Sequence, residues 1–162
     1  MLNKIYLAFL GVASVVMIFF TFYSQSWLTS IGDPKTAIEN YNYWANLSWT
    51  FLWFSSFVLL IFSNILLWKT RRGWAMWATL VYFAVFTVIS YFWLEQNYFT
   101  FKKANGLWKG EFSLSLFYGA GLVVIAAVVV FLNHFLNLRL NEKMFPPKEP
   151  EPDLQTIEEV QS

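Results

Sequence analysis

Long apolar segments without a charged residue occur four times along the chain. They run approximately over 5–23, 47–68, 74–94 and 112–133, and none contains Asp, Glu, Lys, Arg or His. A helix that crosses a hydrocarbon core about 30 Å thick needs roughly 20 mainly apolar residues. A soluble helix of this length would carry a charged face. The pattern predicts an all-α integral membrane protein in which residues 1–140 form a four-transmembrane-helix bundle.

The polar stretches at the two ends of the first segment raise separate questions. Lys4 followed by an apolar run is also typical of a secretory signal peptide. The run is long and rich in Phe, which favours a retained transmembrane helix. After it, Asp33 and Pro34 predict a helix start, with Asp as the N-cap and Pro in the first helical position. That start begins either an interfacial helix or an outward extension of the second span.

The end of the chain, 141–162, has a different composition. It holds six acidic residues, two basic residues and four prolines. So few apolar residues cannot offset the entropy lost on ordering. We therefore predict a disordered, acidic, proline-rich cytoplasmic tail. A short helix over 154–160 that binds a partner is the alternative.

Orientation follows from the Lys and Arg residues that flank the spans, because cytoplasmic loops carry an excess of them. Six such residues fall on one side, and the densest cluster joins the second and third spans: Lys4, Lys69, Arg71, Arg72, Arg139 and Lys143. Four fall on the other side: Lys35, Lys102, Lys103 and Lys109. The cluster of Lys69, Arg71 and Arg72 sets the topology. The distribution predicts that both termini are cytoplasmic.

An internal similarity suggests a duplication. Residues 20–28 and 86–94 agree in five of nine columns at a shift of 66, and each segment closes an outward-running span. Real duplication would make the protein two tandem helical hairpins in parallel repeat, a plan that several transporter classes share. Chance is the other explanation, because the alphabet of these segments is narrow. Thr21, Ser24, Thr87 and Ser90 can each bond a carbonyl one turn back in either case.

Small and polar residues mark the faces that should pack together. Helices in lipid associate through close backbone approach and interhelical hydrogen bonds, since apolar side chains gain nothing by leaving lipid. At the helical period, two stripes fall on single faces of the second and fourth spans, and they are the predicted helix-packing residues: Ser55 and Ser63, then Ser115, Gly119, Ala126 and Asn133. Large aromatics such as Trp53, Phe54, Phe83 and Phe92 should mostly face lipid or fill gaps.

Tryptophans at the ends of the spans are predicted interface anchors, because Trp and Tyr concentrate at membrane–water boundaries. The four candidates are Trp27, Trp44, Trp93 and Trp108. Aromatic residues make up 22% of the chain, which agrees with a lipid-facing surface of this kind. The bilayer is therefore the first predicted partner.

Charge and composition exclude several function classes. The net charge of +1 provides no basic field that would attract nucleic acid. The absence of cysteine excludes disulfides and thiolate metal sites. Ion pumps usually keep ionisable residues inside the bundle, and the predicted spans contain none. We expect neither a metal site nor a cofactor.

Candidate chemistry is sparse. His134 is the only histidine and lies at the inner end of the fourth span, where it could ligate haem or contact a quinone. A histidine at a helix C-terminus is favourable in any case. The carboxylates Asp33, Glu39 and Glu95 are not brought together by their spacing, so we expect them to be solvated. No nucleophile–base pair is visible, which argues against an enzyme.

Three functions remain open. The first is a non-enzymatic accessory or structural subunit of a membrane assembly, with other membrane proteins or further copies of itself as partners. The second is small-molecule or lipid binding or transport by a homo-oligomer, with a site among the hydroxyls of the second and fourth spans. The third is a membrane enzyme or cofactor carrier that uses His134.

Overall fold

Helices make up all the regular structure in the part of the chain that the computed structural model describes, namely residues 1–30, 32–70, 73–110 and 115–144. The elements in chain order are α1 (Leu2–Thr29), α2 (Pro34–Thr70), α3 (Trp74–Val88), a π-helical segment (Ile89–Leu94), α4 (Glu95–Ala104) and α5 (Ser115–Met144). From α3 to α4 the chain is one continuous helical rod. Four helices are long and apolar enough to cross a membrane. The prediction of an all-α fold with four helices of membrane-spanning length and composition is confirmed for the described residues.

Two of these rods exceed the length that a bilayer needs. α2 has 37 residues, which at 1.5 Å per residue is about 55 Å. The rod over 74–104 has 31 residues. The extra turns lie at one end of the bundle, which we call the distal end (residues 24–30, 32–49 and 90–110). The opposite end, the terminal end, holds residues 1–10, 60–70, 73–77 and 130–144. The polar stretch before the second span is thus an extension of α2 and not a separate interfacial helix.

The start of α2 is built as its sequence predicts. The backbone N–H of Thr36 donates to Oδ2 of Asp33 at 3.1 Å, and the Thr36 hydroxyl donates to the same oxygen at 3.0 Å. Pro34 occupies the first helical position. The backbone bond from Thr36, followed by its side-chain bond, lowers the pKa of the exposed Asp33 carboxyl. Asp33 is therefore a charged N-cap.

The largest core cluster joins α1, α2 and α3. Its buried members are Tyr6, Ala13, Met17, Leu52, Leu59, Leu66, Ala75, Tyr82, Phe83 and Phe86. The three leucines of α2 recur every seven residues, the repeat of left-handed helix packing. Tyr6 donates its hydroxyl to the carbonyl of Ala75 at 2.7 Å, and its oxygen lies 2.9 Å from the Thr79 hydroxyl. These bonds tie α1 to the start of α3.

α5 lies at the edge of this core. Only 11% of its most apolar stretch is buried in the bundle, against 22% for α1, 33% for α2 and 41% for the rod over 74–104. Its described part begins at Ser115, and residues 112–114 of the predicted span lie outside the described residues. It continues to Met144, four residues into the predicted tail. The remaining tail, 145–162, lies outside the described residues.

The two similar segments have different backbones. Residues 20–28 are α-helical, and Thr21 and Ser24 donate to the carbonyls one turn back at 2.9 and 2.7 Å. Residues 89–94 of the second segment are π-helical. The buried hydroxyl of Thr87 has no hydrogen-bond partner. The internal similarity is therefore not accompanied by matching local structure.

Candidate functional site

The predicted packing residues of α2 are fully buried. Ser55 and Ser63 both have no exposed surface. The oxygen of Ser55 lies 2.8 Å from the Tyr82 hydroxyl of α3, and Ser55 also donates to the carbonyl of Phe51 at 2.7 Å. Ser63 donates to the carbonyl of Leu60 at 2.7 Å. Ser55 thus joins two helices, whereas Ser63 bonds within α2 alone.

The predicted stripe of α5 contacts the bundle at three heights. Gly119 is buried near the distal end, and the half-buried Ala126 packs against the main core cluster. Asn133 is half-buried near the terminal end. Ser115 lies in the first turn of α5, but its side chain is outside the described part of the structure. The stripe is therefore the face by which α5 meets α2 and α3.

Three asparagines form a closed network at the terminal end, which we call the amide cluster (Asn64, Asn133 and Asn137). Oδ1 of Asn64 accepts from Nδ2 of Asn133 at 2.9 Å and from Nδ2 of Asn137 at 2.8 Å. Asn137 also donates to Oδ1 of Asn133 at 3.0 Å. Its own Oδ1 accepts from the indole of Trp68 at 2.7 Å. Every amide oxygen in the cluster has a donor, so the network is internally satisfied.

The amide cluster attaches α5 to α2. Asn64 and Trp68 come from α2, whereas Asn133 and Asn137 come from α5. In the described residues, the side-chain hydrogen bonds that join α5 to another helix all lie at this end. Asn133 was predicted as a packing residue from its place in the small-residue stripe, whereas its two amide partners were not predicted. The spacing of Asn133 and Asn137 by one helical turn was the available signal.

His134 lies beside this cluster and against the start of α3. Its imidazole contacts Gly73 so closely that a β-carbon at that position would overlap Cε1 and Nδ1. The Nδ1 atom is buried and has no hydrogen-bond partner. The ring centroid lies 6.3 Å from that of Trp77. Within the described residues, no group of three His, Asp or Glu could hold a metal ion.

A cavity of about 320 Å³, the lateral cavity, opens on the side of the bundle between α2, α3 and α5. Its walls are almost entirely apolar and include Phe57, Leu60, Leu80, Phe83, Ala126 and Val130. Ser56 also lines it, and the buried hydroxyl of Ser56 has no hydrogen-bond partner. The cavity suits a lipophilic group that carries at most one acceptor for this hydroxyl.

The predicted interface anchors do not share one environment. Trp27 and Trp44 are half-buried, and the Trp44 ring lies 4.6 Å from that of Tyr23. Trp93 and Trp108 are 43% and 42% exposed. Nζ of Lys103 lies 4.8 Å from the Trp108 ring centroid. All four belong to the distal end.

The topology residues are described only in part. Lys69 is exposed in the last turn of α2, at the terminal end. Arg71 and Arg72 lie outside the described residues. Lys4 and Arg139 add two more cations at this end, and Arg139 stacks over Phe135, with its guanidinium carbon 4.9 Å from the ring centroid.

Comparison with known proteins found no family model, no curated protein and no solved structure that matches this chain.

Proposed function

We propose that this chain is a multi-pass membrane protein with four transmembrane helices, and that it serves as a non-enzymatic accessory subunit of a membrane assembly. The helix lengths and the absence of charge along their apolar stretches support membrane insertion. The buried polar groups of the mid-bundle are hydroxyls, such as Ser55, Ser63, Thr79 and Thr87. They hold helices together and carry no charge that ion coupling would need.

The observation that carries the accessory role is the sparse packing of α5. Its most apolar stretch is 11% buried, and its outward surface presents a continuous series of large apolar side chains: Val124, Ile125, Val128, Val129, Phe131, Leu132, Phe135 and Leu136. Helices in membranes associate by van der Waals packing where their surfaces fit. A helix of a partner subunit that packed on α5 would complete its burial.

The test is purification from the native membrane in a mild detergent. We expect one or more heterologous membrane proteins at a constant ratio to the chain. Val124 on α5 and Val12 on α1 are equally exposed, at 62% each. Val124→Trp should abolish the association, whereas Val12→Trp should leave it unchanged. A chain that purifies alone or only with copies of itself would contradict the accessory role.

The lateral cavity favours a second candidate, the binding of a lipophilic molecule by a homo-oligomer. Its volume and apolar lining match a segment of an acyl chain or a small hydrophobic ligand. Ala126→Phe would fill it from the α5 side. If this candidate is correct, native mass spectrometry should find a bound small molecule on the wild type, and the substituted protein should lose it.

The parallel repeat is part of the same proposal. The similar segments 20–28 and 86–94 both run toward the distal end, as two hairpins related by an axis along the membrane normal require. A shift of 65 residues also aligns Ser48 with Ser113, but Ser113 lies outside the described residues. His134 fits a packing role better than a cofactor role, because its ring packs directly against Gly73.

A further inference from the structure

A second cavity lies at the distal end, between α2 and the start of α4. This distal pocket has a volume of about 230 Å³ and is lined by polar and aromatic side chains, among them Tyr41, Asn42, Asn46, Ser90, Glu95 and Tyr98. It differs in chemistry from the lateral cavity, whose walls are nearly all apolar. The pocket is large enough for a small polar headgroup and too small for a whole lipid.

Glu95 contributes a carboxylate to the lining of the distal pocket. The carboxylate oxygen Oε2 is buried and has no hydrogen-bond partner. A buried carboxylate is costly unless it is paired or hydrogen-bonded. The simplest compensation is a cation that donates a hydrogen bond to this oxygen from within the pocket. Glu95 was expected to be solvated, but it is half-buried in a continuous helical rod.

The aromatic wall of the pocket is of the kind that attracts ammonium groups. Tyr41 and Tyr98 stack with their ring centroids 4.8 Å apart and their planes within 10°. Tyr41 is only 6% exposed, so the ring pair is held in place. Nζ of Lys102 lies 5.3 Å from the Tyr98 centroid. The ring pair thus already has one ammonium beside it, as the negative face of an aromatic ring favours.

The π-helical segment explains how Glu95 reaches this position. Segments with i→i+5 hydrogen bonds are rare and occur frequently at functional sites. The segment over 89–94 ends directly before Glu95, and Ser90 and Leu94 of the same segment also line the pocket. The extra residue in the turn shifts every later side chain by about one position around the helix. Glu95, and with it Tyr98, therefore faces α2.

We propose that the distal pocket binds a protonated organic amine, with the Glu95 carboxylate as its counter-ion and the stacked pair Tyr41 and Tyr98 as its wall. The ammonium donates to Oε2, and the amide side chains of Asn42 and Asn46 supply hydrogen bonds to an adjacent hydroxyl or phosphate oxygen. Two sources offer this chemistry: the headgroup of an amine phospholipid and a free alkylamine. The site uses neither α5 nor the lateral cavity, so it stands independently of the accessory role.

The experiment uses the full chain in lipid nanodiscs with two probes. Free ethanolamine is titrated into nanodiscs of phosphatidylglycerol, and binding is followed by calorimetry. In the second arm, native mass spectrometry counts the lipids retained from nanodiscs of mixed phosphatidylethanolamine and phosphatidylglycerol. The key variant is Glu95→Gln, which keeps the shape of the side chain and removes its charge. Glu39→Gln is the matched control, because Glu39 is an exposed carboxylate at the same end.

The site predicts that the wild type binds at least one probe and that Glu95→Gln weakens this binding by on the order of tenfold or more. Glu39→Gln should bind as the wild type does. Ethanolamine binding alone identifies a free amine, and selective retention of phosphatidylethanolamine identifies the lipid. Tyr98→Leu, which keeps Glu95 and removes the ring, gives a second reading if Glu95→Gln does not fold. Failure of the wild type to bind either probe, or equal binding by Glu95→Gln, would overturn the site.

Discussion

His134 and Gly73 are in direct contact, with the imidazole of α5 lying over the backbone of the residue that precedes α3. A β-carbon at position 73 would overlap the ring, so Gly73→Ala must displace His134. Overpacking of this kind costs about 1–3 kcal/mol of unfolding free energy. We expect His134→Ala to remove most of this cost in the Gly73→Ala background. Thermal unfolding of the four proteins of the double-mutant cycle measures the coupling, and additive effects would show that the contact does not form.

The amide cluster predicts a specific weakness at Asn64. Asn64→Ala removes the oxygen that accepts from both Asn133 and Asn137, and it leaves two amides of α5 without this partner. The loss of the two bonds should be about 1–2 kcal/mol, because interhelical hydrogen bonds in membranes average about 0.6 kcal/mol each. Asn3→Ala is the control, since Asn3 is exposed on α1. If the two variants were equally stable in detergent unfolding, the amide cluster would not contribute to holding α5 on the bundle.

Two glycines of α5 offer a matched test of its packing face. Gly119 is buried, whereas a β-carbon at Gly121 would meet open space beyond the backbone of its own helix. Gly119→Leu should push α5 away from its neighbours and cost about 1–3 kcal/mol. Gly121→Leu should be tolerated. If Gly121→Leu were the more damaging change, the inward face of α5 would be assigned incorrectly.

The orientation of the chain can be tested by labelling, because the sequence has no cysteine of its own. Ser30 lies at the distal end and Lys69 at the terminal end, and both are exposed. A membrane-impermeant maleimide added to intact cells should label Ser30→Cys and not Lys69→Cys. Permeabilised cells should allow both to be labelled. The reverse pattern would place the termini outside.

The N-cap of α2 predicts a dependence on acid. The pKa of Asp33 is lowered by its bonds from Thr36, so the native state favours the carboxylate. Its contribution to stability is therefore present above the unfolded pKa of about 3.9 and is lost as the pH falls through the lower native value. Asp33→Asn keeps a capping oxygen that does not titrate. Between about pH 6 and pH 3, the unfolding midpoint of the variant should fall less than that of the wild type. If the two midpoints fell in parallel, the charge of Asp33 would not contribute to stability.

Local patterns predicted much of the fold. The uncharged segments and the Asp33–Pro34 start could be recognised because helix length and capping depend on neighbouring residues. The rotation of one helix against another could not be predicted from such local patterns. Phe83 was expected to face lipid or fill a gap and is 4% exposed in the core, whereas Phe54 is 64% exposed. Nothing in the sequence distinguishes these two aromatics.

The candidate sites were harder to predict for the same reason. The convergence of Asn64 with Asn137 depends on how α2 and α5 are rotated about their axes, which the small-residue stripes indicate only coarsely. Glu95 could not be placed because the π-helical segment changes the helical register just before it. A period of 3.6 residues applied across that segment assigns the wrong face to every residue of α4.

The uneven attachment of α5 has a mechanical consequence. Among the described side chains, the hydrogen bonds that join α5 to another helix lie at the terminal end, while Gly119 and Ala126 make contacts that lipid can replace at little cost. We expect such a helix to behave as a lever with its pivot at the amide cluster. A small tilt about that pivot changes the width of the lateral cavity, because α5 forms one of its three walls. The width of the cavity would then depend on the tilt of α5. The match between the length of α5 and the thickness of the bilayer would be one of the factors that set this tilt.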